Sequence, residues 1–192
     1  HLYVYPQWAK LFTYPAKFYK WFARRIQQMN LPLEPETANT MIYSHILPIK
    51  DSVDGRNDVR GWVRTYSDTD EVVYVAAYSS HVYGKSRYMN IAFPFPMGNI
   101  SSILRLSTRT SDAKTFLRLS SVHEDNNIGD QGVYFITRRL TLRLPLNEVI
   151  DVFSTAPDNF PRDAPLREQA NLFAQHRMWL FGFPFLTLHY VI

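Results

Sequence analysis

Val72-Val73-Tyr74-Val75-Ala76-Ala77-Tyr78-Ser79-Ser80-His81-Val82-Tyr83 is the longest uninterrupted strand pattern in this chain of 192 residues. Side chains alternate faces along a strand, so Tyr74, Ala76, Tyr78 and Ser80 share one face, and Val73, Val75, Ala77 and Ser79 the other. Tyrosines alternating with small residues suit the lining of a cavity, because small side chains leave room and hydroxyls offer polar handles. The same pattern suits an outer face whose rings cover neighbouring strands. Gly84-Lys85 ends the run and starts the turn into the next strand, Arg87–Phe95, which Pro94 and Pro96 stop.

Outward from this pair, strand patterns recur at short spacing. Upstream, 39–49 is β-branched and apolar, Asp54-Gly55-Arg56-Asn57-Asp58 is a polar turn, and 61–66 is the next strand. Downstream, 103–109 and 115–122 form a hairpin across Ser111–Lys114. Further strands are expected at 133–144, 148–154, 171–181 and 183–191, with a proline-rich loop over 156–166. That makes about nine strands with no crossover helix between them, so a parallel sheet is disfavoured. The expected fold is mainly β (α+β): a single antiparallel, strongly curved sheet or barrel over residues 39–192. One domain, 1–192, is the simplest division at this length.

Residues 1–33 differ in composition. They hold nine aromatics and Lys10, Lys17, Lys20, Arg24 and Arg25, with no acid, which leaves sixteen cations against seventeen acids elsewhere. Pro15 opens an amphipathic helix over 15–29, with Phe18, Phe22, Ile26 and Met29 on one face and Lys17, Lys20 and Arg24 opposite. This helix is read as a cover or lid on the sheet. Phe18, Trp21, Phe22 and Arg25 are its lid or membrane-facing candidates.

Leu-Arg-Leu occurs three times, at 104–106, 117–119 and 142–144. Each triplet sets two leucines against one arginine across the strand. Either the leucines fill the core and the arginines meet solvent, or Arg105, Arg118 and Arg143 form an anion site with Tyr74 and Tyr78, since guanidinium forks suit carboxylate or phosphate. The remaining signals exclude more than they name. The chain has no cysteine, which removes disulfides, thiolate nucleophiles and Cys-ligated metal. Its six histidines form no metal motif, no nucleotide-binding glycine loop occurs, and no G-x-S-x-G elbow is present. Glu148 and Asp151, three apart on a strand, point to opposite faces and are no acid–base couple. No catalytic residue, metal or cofactor is therefore assigned, and the reading leans against an enzyme.

The function expected is binding of a hydrophobic or amphiphilic, possibly anionic, small molecule. One alternative is a peripheral membrane or protein-interaction domain using the N-terminal helix. Another is an enzyme with an Arg/Lys/Tyr-lined cavity. Nucleic acid is disfavoured, because the helix aromatics follow an apolar stripe and the strand arginines lie between leucines. No run reaches the ~20 apolar residues of a membrane-spanning helix. The reading favours a soluble, cytoplasmic protein.

Overall fold

Alternating strand patterns joined by short turns fold here into one sheet. The computed structural model describes residues 2–8, 21, 23, 28–30, 41–111, 114–123, 129–162 and 167–192. Its strands are β1 (Leu2–Trp8), β2 (Met41–Pro48), β3 (Arg60–Tyr66), β4 (Val72–Tyr83), β5 (Ser86–Phe95) and β6 (Gly98–Ser111). They continue with β7 (Lys114–Ser120), β8 (Gly132–Ile136), β9 (Thr141–Arg143), β10 (Leu146–Phe153), β11 (Phe173–Leu180) and β12 (Phe183–Val191). All pairings are antiparallel and join twelve strands into one curled sheet. Neighbours run β1-β2-β3-β4-β5-β6-β7-β10-β11-β12, and β12 pairs back onto β1. β8 and β9 extend beside the first half of β6.

The expected mainly β, curled antiparallel architecture is what forms, with three differences. β1 is an additional strand, held along its length by β12 but by β2 at only two residue pairs. Among the described residues, Pro6 therefore lies on a stretch paired on one side only, where a missing N–H is tolerated. The expected strand 133–144 is two strands. Thr137 accepts hydrogen bonds at Oγ1 from the N–H groups of Arg139 and Leu140, and its own N–H donates to Leu140 O at 2.8 Å, which turns the chain. The expected strand at 103–109 begins earlier, at Gly98, because its first half is paired on both sides by β5 and β8.

Most of the expected helix over 15–29 lies outside the described residues, Phe18, Phe22 and Arg25 among them. Trp21 and Ala23 are helical, the first exposed and the second buried. Asn30 N–H donates to Val73 O at 2.7 Å, and Val75 N–H donates to the Gln28 side chain at 3.2 Å. These bonds tie the end of the segment to β4, ahead of the point where its pairing with β5 begins at Ala77.

The core lies on the concave face. Ile42, Tyr74, Ala76, Ile91, Leu104, Leu119, Met178, Leu186 and Leu188 form it, with Met89, Phe93, Leu106, Ile150 and Val152 packed around them. Burying each large aliphatic side chain stabilises the fold by about 1.5–3 kcal/mol. On the outer face, the loop after β10 brings Phe160 against Phe173 and Val191 as a second, smaller cluster.

Candidate functional site

In Arg60-Gly61-Trp62-Val63-Arg64, strand alternation puts Arg60, Trp62 and Arg64 on one face. Register sets that face inward: Trp62 lies opposite Ala76, and Arg64 opposite Tyr74. The Arg64 guanidinium sits 5.1 Å from the Trp62 ring centre and 5.2 Å from that of Tyr74. Tyr78 stacks on Trp62 at 4.4 Å, and Tyr74 meets Phe93 edge-on at 5.4 Å. The hydroxyls of Tyr74 and Tyr78 are hydrogen-bonded at 3.2 Å. One of the two hydroxyl protons forms that bond, which leaves the other available. Arg64 has no carboxylate partner among the described residues, and its Nε is buried without a hydrogen bond.

A second polar group faces the same interior from β10, β11 and β12. His176 Nε2 lies 2.6 Å from Glu148 Oε2, diagonally across the β10–β11 pair. Burial pushes the Glu148 carboxyl up, but the hydrogen bond and charge of His176, with a smaller contribution from Ser102, outweigh it and hold the group below its ordinary value. Tyr190 lies close enough for the charges of Arg64 and Glu148 to act on it. Burial pushes the phenols of Tyr74, Tyr78 and Tyr190 upward, only partly offset by Arg64, so all three stay neutral at physiological pH. The inner face thus presents a fixed cation and neutral hydroxyl donors between aromatic walls. Ser44 and Ile46 share this face on β2 and are exposed, Ile46 to 52%, so solvent reaches it there.

Tyr74 and Tyr78, predicted from sequence, meet in this site. The predicted arginines do not. Leu104, Leu106 and Leu119 take the inner face, which turns Arg105 and Arg118 outward. Arg118 is held by Asp151 through Nε and Nη2, at 2.6 and 2.9 Å, and Arg177 Nη2 reaches the same carboxylate at 2.6 Å. Arg143 stands exposed on β9, beside Tyr134 of β8. The inner anion site is therefore corrected to outward positions, the first of the two alternatives: Arg105 and Arg118 are diagonal neighbours across β6 and β7, and Arg143 stands apart on β9, because leucine burial decides which face turns in. Glu148 and Asp151 do lie on opposite faces. So do His176, inside, and His189, outside.

No family model matches the chain, and no solved structure matches it. Over 185 residues, 96% of its length, the chain is 35% identical to the uncharacterized membrane protein YndJ of Bacillus subtilis (strain 168). It spans 30% of that protein's length. This likeness overturns the expectation of a soluble, cytoplasmic protein, since the relative is named a membrane protein. Among the described residues no helix is long and apolar enough to cross a membrane.

Sequence reasoning missed Arg64, Trp62, Glu148, His176 and Tyr190. For Arg64 a signal was present: it shares parity with Trp62 in a short strand, one turn before the tyrosine strand. Glu148 and His176 lie 28 residues apart and meet only through the β10–β11 register. No group of three or more metal-ligating side chains occurs among the described residues.

Proposed function

We propose that this domain binds an amphiphile with an anionic head group on the concave face of its sheet, as a module of a membrane-associated protein. Arg64 carries the reading. It is a cation turned inward, held between Trp62 and Tyr74, with a buried unpaired Nε and no carboxylate partner among the described residues. Leaving such a group unsatisfied is costly, and an anion is its natural complement. Tyr74 and Tyr78 add a hydroxyl donor, while Phe93, Ile91 and Met89 offer an apolar bed for a chain. The membrane relative supports an amphiphile as the ligand, since a bilayer supplies such molecules.

A charge-assisted hydrogen bond contributes about 1.5–3 kcal/mol, or roughly a 10–150-fold change in affinity. The test is calorimetric titration with decyl phosphate and decyl maltoside, both below their micelle concentrations. Arg64→Gln is expected to weaken the phosphate by that factor and the neutral maltoside by less than about threefold. Absence of decyl phosphate binding to the unmodified protein, or equal affinity in Arg64→Gln, refutes the reading.

A further inference from the structure

Three turns meet at one end of the sheet. The β5–β6 turn carries Met97, the β8–β9 turn carries Arg138, Arg139 and Leu140, and the β11–β12 turn carries Phe181, with Phe183 opening β12. Their strand ends are neighbours: Asn99 lies opposite Ile136, Ile136 opposite Thr141, and Leu146 opposite Leu180. Phe181 N–H donates to Pro145 O at 2.8 Å, which fixes the aromatic turn beside the end of β9. Pro96, Met97, Phe135, Thr137, Arg138 and Arg139 line one shallow groove joining the first two turns.

This rim has an unusual surface for a region in water. Met97 is 81% exposed and Phe181 72%, and Phe183, Leu140 and Leu142 are each more than half exposed. Arg138, Arg139 and Arg143 are exposed among them, and none forms an ion pair among the described residues. The stretches 94–99, 131–147 and 178–187 contain no acidic residue. Large apolar side chains gathered on turn tips are disfavoured in solvent, and large exposed patches mark interaction surfaces. The β11–β12 turn is tightly built: Phe181 and Gly182 both have positive φ, at 50° and 82°, and form a two-residue loop between the paired residues Leu180 and Phe183.

We infer that this rim docks on an anionic bilayer surface, with Phe181, Phe183, Leu140, Leu142 and Met97 entering the headgroup boundary and Arg138, Arg139 and Arg143 pairing with lipid phosphates. Charge selects this occupant: three cations and no acid complement a negative surface. Rings and aliphatic side chains interspersed with arginines suit the boundary between headgroups and acyl chains. The surface is separate from the concave site.

Co-sedimentation with vesicles tests it. The unmodified protein is expected to bind vesicles of phosphatidylglycerol and phosphatidylcholine, to bind pure phosphatidylcholine far more weakly, and to be released by salt. Each cation near an anionic surface strengthens binding about fivefold, so Arg138→Gln/Arg139→Gln/Arg143→Gln lowers the partition coefficient about 100-fold. Phe181→Ser/Phe183→Ser lowers it at every lipid composition. Both variants keep the far-ultraviolet spectrum and the decyl phosphate affinity of the parent, which separates this surface from the concave site. Equal binding to both vesicle types, parental binding by the triple variant, or no binding by the unmodified protein overturns the inference. A rim that captures no vesicles while the protein self-associates through it overturns it equally.

Discussion

His189 should make the protein sensitive to acid well above the range where carboxylates titrate. It lies on the outer face of β12, 1% exposed, beneath Phe160, whose ring meets it edge-on at 5.1 Å. Its Nε2 lies 3.2 Å from Gln7 Oε1, so Nε2 carries the proton and donates. Nδ1 is buried without a partner. A second proton would place a charge there, and burial lowers the pKa from 6.5 to about 4. The unfolded chain therefore takes up a proton below about pH 6.5 while the folded protein does not until about pH 4. This contribution to stability is complete above the unfolded value and is lost as pH falls through that window. Between pH 7.5 and 5 the loss is about 2 kcal/mol, from two protonation curves separated by about 2.5 units. His189→Gln keeps a donor for Gln7 and removes the titration. Urea unfolding followed by tryptophan fluorescence at several pH values in that range measures the effect. The parent should lose about 2 kcal/mol more than the variant on acidification, whatever their difference at pH 7.5. Parallel pH dependences in the two proteins would show that His189 takes up its proton equally in the folded and unfolded states.

Other consequences follow from close contacts elsewhere. Asp151 has a side chain only 3% exposed and accepts from both Arg118 and Arg177, so Asp151→Asn breaks two charged contacts at once. The arginines are partly solvated, which limits the cost to about 2–3 kcal/mol, or a fall in Tm of roughly 5–10 °C. An unchanged Tm would mean the cluster adds nothing. Gly98 permits β6 to approach β8, and a methyl group there would overlap the Ile136 carbonyl oxygen, which is rigid backbone. Gly98→Ala should cost about 1–3 kcal/mol by thermal unfolding. A variant as stable as the parent would show that this approach is not tight.

Local pattern carried much of the fold. Val72–Tyr83 and Phe183–Val191 are strands over the residues their alternation marks, and Gly84 and Gly182, with φ of 59° and 82°, sit at the turns that end or precede them. The alternation in Leu104-Arg105-Leu106 likewise separates leucine from arginine as expected. It does not say which side turns inward, because both faces of β6 carry polar and apolar residues. Leu104 and Arg105 are assigned only once β7 and β10 bring Leu119 and Ile150 to the inner face. The split at Thr137 was hidden because Thr and Arg fit a strand and a turn equally well, and its cause is a side-chain hydrogen bond.

What the sequence determined alone is the strand character of the chain, its hairpins, and the parity that groups Tyr74 with Tyr78. These depend on neighbours a few residues apart, whose spacing is written in the chain. Tertiary structure decided the rest. Pairing of β1 with β12 brings strands from opposite ends of the sequence together, Glu148 meets His176 through a shared register, and the charge of Arg64 on β3 acts on Tyr190 of β12. Such contacts form between strands far apart in sequence, where loop closure is offset only by burial summed over the whole core. No local spacing records that sum: parity groups Arg64 with Trp62, but only the curled sheet turns that face inward.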